Sequence, residues 1–132
     1  MSIEYFQRRQ NILREKIAIE NLDGMLVTNL THIRYLCGFT GSSATLLITD
    51  DEIYFITDGR YVVQSEKEVK GANVIIDSMP HFEVIKNKGL LKNEQKIGFD
   101  GNNVTHQGYQ QISKVLSSQH LVNITDVIEK LA

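Results

Sequence analysis

Ile3, Phe6, Gln10, Leu13 and Ile17 recur at steps of three and four residues. All but Gln10 are apolar, so the pattern predicts an amphipathic helix over 2–20, with Ser2 placed to cap it. Asp23 and Gly24 are turn residues. Met25, Leu26 and Val27 read as a short buried strand. Residues 28–36 mix polar and apolar positions, with Ile33 and Leu36 at helical spacing, and predict a loop leading into a short helix. Two apolar, partly β-branched runs at 44–48 and 53–57 flank the polar turn 49–52 and predict a β-hairpin. Asp58 reads as the N-cap of a helix that carries Tyr61, Val62 and Val69 and ends at Gly71.

The second half alternates strand and helix. Residues 73–76 and 96–100 read as strands. Pro80 suits the first turn of a helix reaching about Lys88. Residues 105–117 form a helical pattern with Tyr109, Ile112 and Leu116 on one side. A strand at 122–124 follows, and Thr125 and Asp126 are placed to cap a final helix. Alternating strands and helices with one hairpin predict an α/β fold: a mixed β-sheet flanked by helices on both faces. The pattern stops in mid-helix at 126–132, so the sequence is expected to be a piece of a longer protein.

The 132 residues fit one domain, and a hydrophobic content of 42% with 23% charged residues is enough to bury a core. A formal net charge of −2, spread evenly, gives no reason to expect nucleic acid or a membrane as partner. No segment approaches the roughly 20 apolar residues of a membrane span, and no signal-peptide pattern opens the chain. Cys37 is the single cysteine, which fits a cytoplasmic location.

Few residues point to chemistry within the chain. His32, His81, His106 and His120 fall on separate elements and form no zinc-ligand spacing, so they read as surface or loop residues. His81-Phe82-Glu83 is the nearest pairing. Gly38 and Gly41 lead into a strand rather than a helix, which excludes a phosphate loop. Ser42 and Ser43 lack the nucleophile-elbow context. Cys37 reads as a small buried side chain, and Asp50, Asp51 and Glu52 as solvated turn residues. In Asp58-Gly59-Arg60-Tyr61, Asp58 is expected to cap the helix and pair with Arg60. No catalytic and no metal-binding residue is assigned.

Three stretches together carry a resemblance. They are Asn29-Leu30-Thr31-His32-Ile33-Arg34-Tyr35-Leu36-Cys37-Gly38-Phe39-Thr40-Gly41-Ser42, then Thr57-Asp58-Gly59-Arg60-Tyr61 with Gln64 and Glu68, then Lys96-Ile97-Gly98-Phe99-Asp100 with Val104 and Thr105. In this order and spacing the chain resembles the amino-terminal domain of the Xaa-Pro aminopeptidase, prolidase and creatinase group. The group's first motif has threonine or serine where Cys37 stands here, and a small residue or glycine near Ala44. The resemblance covers nearly all of residues 1–132 and implies a ribonuclease H-like fold. Gly38, Phe39, Gly41, Ser42, Asp58, Gly59, Arg60 and Tyr61 are its structural motif residues.

The resemblance further implies a following catalytic domain. That domain binds two divalent metals (manganese, cobalt or zinc) through two Asp, one His and two Glu, none of which is carried over to this chain. It implies a homo-oligomer and a peptide substrate. The segment 29–41 would approach a neighbouring subunit's active-site mouth, which makes His32, Arg34 and Tyr35 candidate substrate contacts in trans. A creatinase-like hydrolase and a non-enzymatic interaction module of the same fold are the alternative parents.

Overall fold

A computed structural model describes residues 2–131. The first helix, α1, spans Ile3–Ile19. It buries Phe6, Gln10, Leu13 and Ile17, the stripe read from the sequence, while Ile3 stays 46% exposed. Ser2 occupies the capping position, but its side chain makes no capping bond. The chain turns at Glu20 and Asn21, where Asn21 takes φ 58, so Gly24 opens strand β1 (Gly24–Val27) instead of serving as the turn. Asparagine tolerates this left-handed conformation better than most residues.

The residues expected to form a loop leading into a short helix are helical almost throughout, as α2, Leu30–Cys37. Asn29 caps it by accepting a hydrogen bond from the His32 amide at 3.0 Å. Asn29 is among the preferred N-cap residues and was the overlooked start signal. Strands β2 (Thr45–Thr49) and β3 (Ile53–Thr57) form the expected hairpin. A 3₁₀ turn, Gly59–Tyr61, intervenes before α3, Val62–Glu68. The helix predicted after Asp58 therefore starts late; Tyr61 and Val69 pack partly buried against the core, whereas Val62 and Val63 are 48% and 63% exposed. Strand β4 is Asn73–Ile76, α4 His81–Asn87 behind Pro80, β5 Lys96–Phe99, α5 His106–Val115 and β6 His120–Asn123. The final helix expected over 126–132 is only a 3₁₀ turn, Glu129–Leu131, because Asp126 takes φ 63 and cannot begin regular helix. Met1 and Ala132 lie outside the described residues.

The six strands form one sheet in the order β4-β3-β2-β1-β5-β6. β1, β2 and β3 are an antiparallel meander, β5 runs parallel to β1, and β6 runs parallel to β5. β4 adds parallel to β3 at the edge. The five strands from β3 to β6, with β2 reversed, have ribonuclease H-like order. Alternation along the central strands divides the core. Met25, Val27, Leu46, Ile48 and Phe55 face α1 and α2, whereas Leu26, Leu47, Ile56 and Ile97 face α4 and α5. The mixed sheet is thus covered by helices on both faces.

Leu47 is fully buried at the centre of the second layer. Leu47→Ala is expected to lower the unfolding free energy by about 2–5 kcal/mol in urea titration. A loss below about 1 kcal/mol would show that this layer is loosely packed.

Candidate functional site

The first two sequence motifs meet as one unit. The α2 helix ends at Gly38, whose φ of 90 closes the helix through its amide to the Arg34 carbonyl at 2.9 Å. A side chain there would be strained and would also meet the Glu68 carbonyl at 2.9 Å. Phe39 then turns inward to 1% exposure, and its ring meets Phe55 and Tyr61 edge-on at 4.8 and 5.2 Å. Gly41 crosses directly over those rings: a Cβ would collide with Phe39 and lie 2.7 Å from Tyr61. The Ser42 amide donates to the Tyr61 hydroxyl at 3.1 Å, and the two hydroxyls share a second bond.

Residues from α3 complete the clasp. Glu68 accepts from the Thr40 amide at 2.8 Å and from its hydroxyl, while Gln64 donates to both the Thr40 hydroxyl and Glu68 at 3.1 Å. Desolvation pushes the Glu68 carboxyl up, but the Thr40 and Gln64 donors together hold it below its ordinary value. Asp58 accepts from the Arg60 amide at 3.0 Å and receives the Arg60 side chain through two bonds, at 2.8 and 2.9 Å. It is therefore both cap and partner, as the sequence suggested. Gly59 has open space where a Cβ would stand, so sterics give no reason for glycine there.

Cys37 is completely buried, and that burial pushes its thiol up to about 11, which makes it a core residue rather than a nucleophile. His81 is half-buried against the Thr45 hydroxyl at 2.8 Å, and burial lowers its pKa. It does not join a set of other ligand-type side chains among the described residues.

The three candidate contact residues are held differently: Arg34 and Tyr35 both line one groove, which His32 does not. Arg34 is exposed and lines an open groove of about 470 Å³ between α1, α2 and α3, together with Arg9, Lys67, Glu68 and Lys70. Its side chain makes no hydrogen bond or ion pair among the described residues. Tyr35 instead packs under Arg9, whose guanidinium lies 3.9 Å from the Tyr35 ring and 3.9 Å from that of Tyr5. The Tyr35 hydroxyl donates to the Leu131 carbonyl at 3.1 Å. His32 points the same way, with Nε2 3.1 Å from the Glu129 carboxylate. Hence the segment 29–41 is a capped helix with a tight exit, not a loop. Arg9, Asp100 and Glu129 are neighbours of these candidates that sequence spacing did not reveal, because they come from distant elements.

The sheet order, the two helical layers and the motif clasp define an α/β domain of ribonuclease H-like topology. The Creatinase/Prolidase N-terminal domain family matches residues 9–131, and the chain belongs to that family. It is similar to the uncharacterized peptidase YqhT of Bacillus subtilis, at 35% identity over 129 residues that cover 90% of this chain and 34% of that protein. Among solved structures it is similar to the aminopeptidase P of Streptococcus thermophilus, with TM-score 0.84, 33% identity, and 96% and 97% of the two chains covered. The Xaa-Pro dipeptidase of Bacillus anthracis superposes with TM-score 0.86 at 26% identity, covering 96% of this chain and 35% of that one. The chain thus spans about a third of the length of the Bacillus subtilis relative. No helix among the described residues is long and apolar enough to cross a membrane.

The Arg60 contacts hold the Asp58 carboxyl down from 3.8 to about 2. A depressed carboxylate stabilises the fold above its unfolded pKa and loses that contribution as pH falls through the folded value. Asp58→Asn is therefore expected to lower Tm relative to the parent chain above about pH 4, with the difference shrinking as pH falls and vanishing only below about pH 2. A difference that does not change with pH would show that the charge is immaterial.

Proposed function

We propose that this chain is the non-catalytic N-terminal domain of a metal-dependent Xaa-Pro aminopeptidase or dipeptidase, acting in the cytoplasm. It supports a homo-oligomer and shapes peptide access to a catalytic domain. The observation that carries the reading is the division of labour on α2. His32 and Tyr35 are occupied with the 129–131 turn, whereas Arg34 is left exposed beside a basic groove. A free guanidinium suits bidentate binding of a peptide carboxylate. Relatives with Xaa-Pro aminopeptidase names support the substrate class, and the unpaired Cys37 is compatible with the cytoplasm.

The two divalent metals of the catalytic domain are not assigned to this chain. Their ligand set has five members, whereas the cluster found among the described residues has three, His32, Asp100 and Glu129.

Two measurements test the proposal. The 132-residue chain is expected to release no amino-terminal residue from an Xaa-Pro peptide, with or without added manganese or cobalt; metal-dependent release would refute a non-catalytic role. In the full-length protein, Arg34→Ala is expected to lower kcat/KM by about tenfold for the substrate lengths whose carboxylate it reaches, which corresponds to about 1.4 kcal/mol. Equal kcat/KM for parent and variant across short and long substrates would remove Arg34 from substrate recognition.

A further inference from the structure

His32, Asp100 and Glu129 come from α2, the end of β5 and the last turn, yet one donor atom from each lies within 4.8 Å of the others. We propose that these three side chains form a binding site for a first-row divalent transition metal, zinc being the best match to the donors. One imidazole with two carboxylates is a ligand set that such ions accept.

The spacing fits. His32 Nε2 and the Glu129 carboxylate oxygen are 3.1 Å apart. Two donors at about 2.0–2.1 Å from one zinc ion lie about 3.0 to 3.4 Å apart for angles between a right angle and the tetrahedral value. The third donor, on Asp100, lies within 4.8 Å of the other two, so the set must draw in by up to about 1.4 Å to close on one ion. A small cavity of about 10 Å³ adjoins the cluster, lined by His32, Asp100, Asn103 and Ile128 among others. That is about the room one water-sized species needs.

Charge points the same way. Asp100 is only 7% exposed, and its carboxylate receives neutral donors, the Asn102 amide at 2.9 Å and the Asn103 side chain at 2.8 Å. Glu129 brings a second carboxylate and His32 at most one positive charge. The cluster is net negative in either state of the imidazole, and a buried carboxylate without a cation is costly. A divalent ion removes that excess.

The donors are also held in place. Asn29 caps α2 through the His32 amide and donates through its own side chain to Asn103 at 2.8 Å, and Asn103 in turn orients Asp100. Such outer hydrogen bonds fix ligand orientation at metal sites. Placement in the fold agrees: β1 and β5 are adjacent and parallel, and the helices that follow them pack on opposite faces. The crevice beyond the carboxyl ends of two such strands is where open α/β sheets bind ligands.

Calorimetric titration of zinc into the chelator-treated 132-residue chain tests the site. One zinc per chain is expected, with Kd of about 10 µM or below, together with a rise in Tm on adding the metal. His32→Ala and Asp100→Asn are each expected to weaken binding at least about tenfold. Glu129→Gln, at an exposed position that leaves the core untouched, is expected to weaken it as well, while His106→Ala leaves affinity unchanged. Absence of saturable binding up to about 1 mM zinc would overturn the proposal. So would unchanged affinity in Glu129→Gln together with either of the other two variants.

Discussion

Everything in this domain hangs on the position of β1. Its four residues are all buried, it is hydrogen-bonded on both sides, and it is the seam where an antiparallel meander meets a parallel pair. Pairing of Gly24 with Ile97 and Met25 with Gly98 sets the two parallel strands side by side. Their carboxyl ends then emerge together, which places His32, two residues into α2, beside Asp100 at the end of β5. Because every polar backbone group of β1 must be satisfied within the sheet, its register is not free to slip. A shift by one residue would exchange Leu26 for Met25 and Val27 between the two core layers.

The motif clasp is a second constraint, local where the first is global. A seven-residue connection without regular structure, residues 38–44, would normally be mobile. Here the backbone at Thr40 and Ser42 is tied to Glu68 and Tyr61, and Phe39 anchors it below. This explains why the glycines stand where they do. Gly38 supplies a backbone conformation, and Gly41 supplies closeness to two aromatic rings. The segment presents α2 rigidly, and with it the exposed Arg34 guanidinium that faces the groove.

The sheet and its covering helices were legible in the sequence because alternation and 3.6-residue spacing report burial directly. Val27, Leu46 and Phe55 gave the strands, and Phe6, Leu13 and Ile17 gave α1. Ends were read less well. Asn21 and Asp126 adopt left-handed backbone without being glycine, and their effect on the chain path has no periodic signature. Helix α3 misled for a different reason, since its valines stay exposed and its polar Gln64 and Glu68 do the holding. The motif partners Asp58 and Arg60 were visible as neighbours in sequence. The trio of His32, Asp100 and Glu129 was not, because its members are brought together only by the strand order and the final turn. Local spacing cannot show a cluster of that kind.

Gln10 is the one polar residue in the buried stripe of α1, and its amide donates to the carbonyls of Leu36 and Lys70, both at 2.9 Å. An apolar residue of similar size would complete the stripe and still leave two carbonyls unanswered. The position thus favours uniqueness over adhesion. It lets α1 settle in one rotation and one axial setting across α2, where a continuous greasy face would tolerate several. This cross-link joins residues sixty positions apart, so closing it carries the chain-entropy cost of a long-range contact. Only the native docking of the helix satisfies both carbonyls at once.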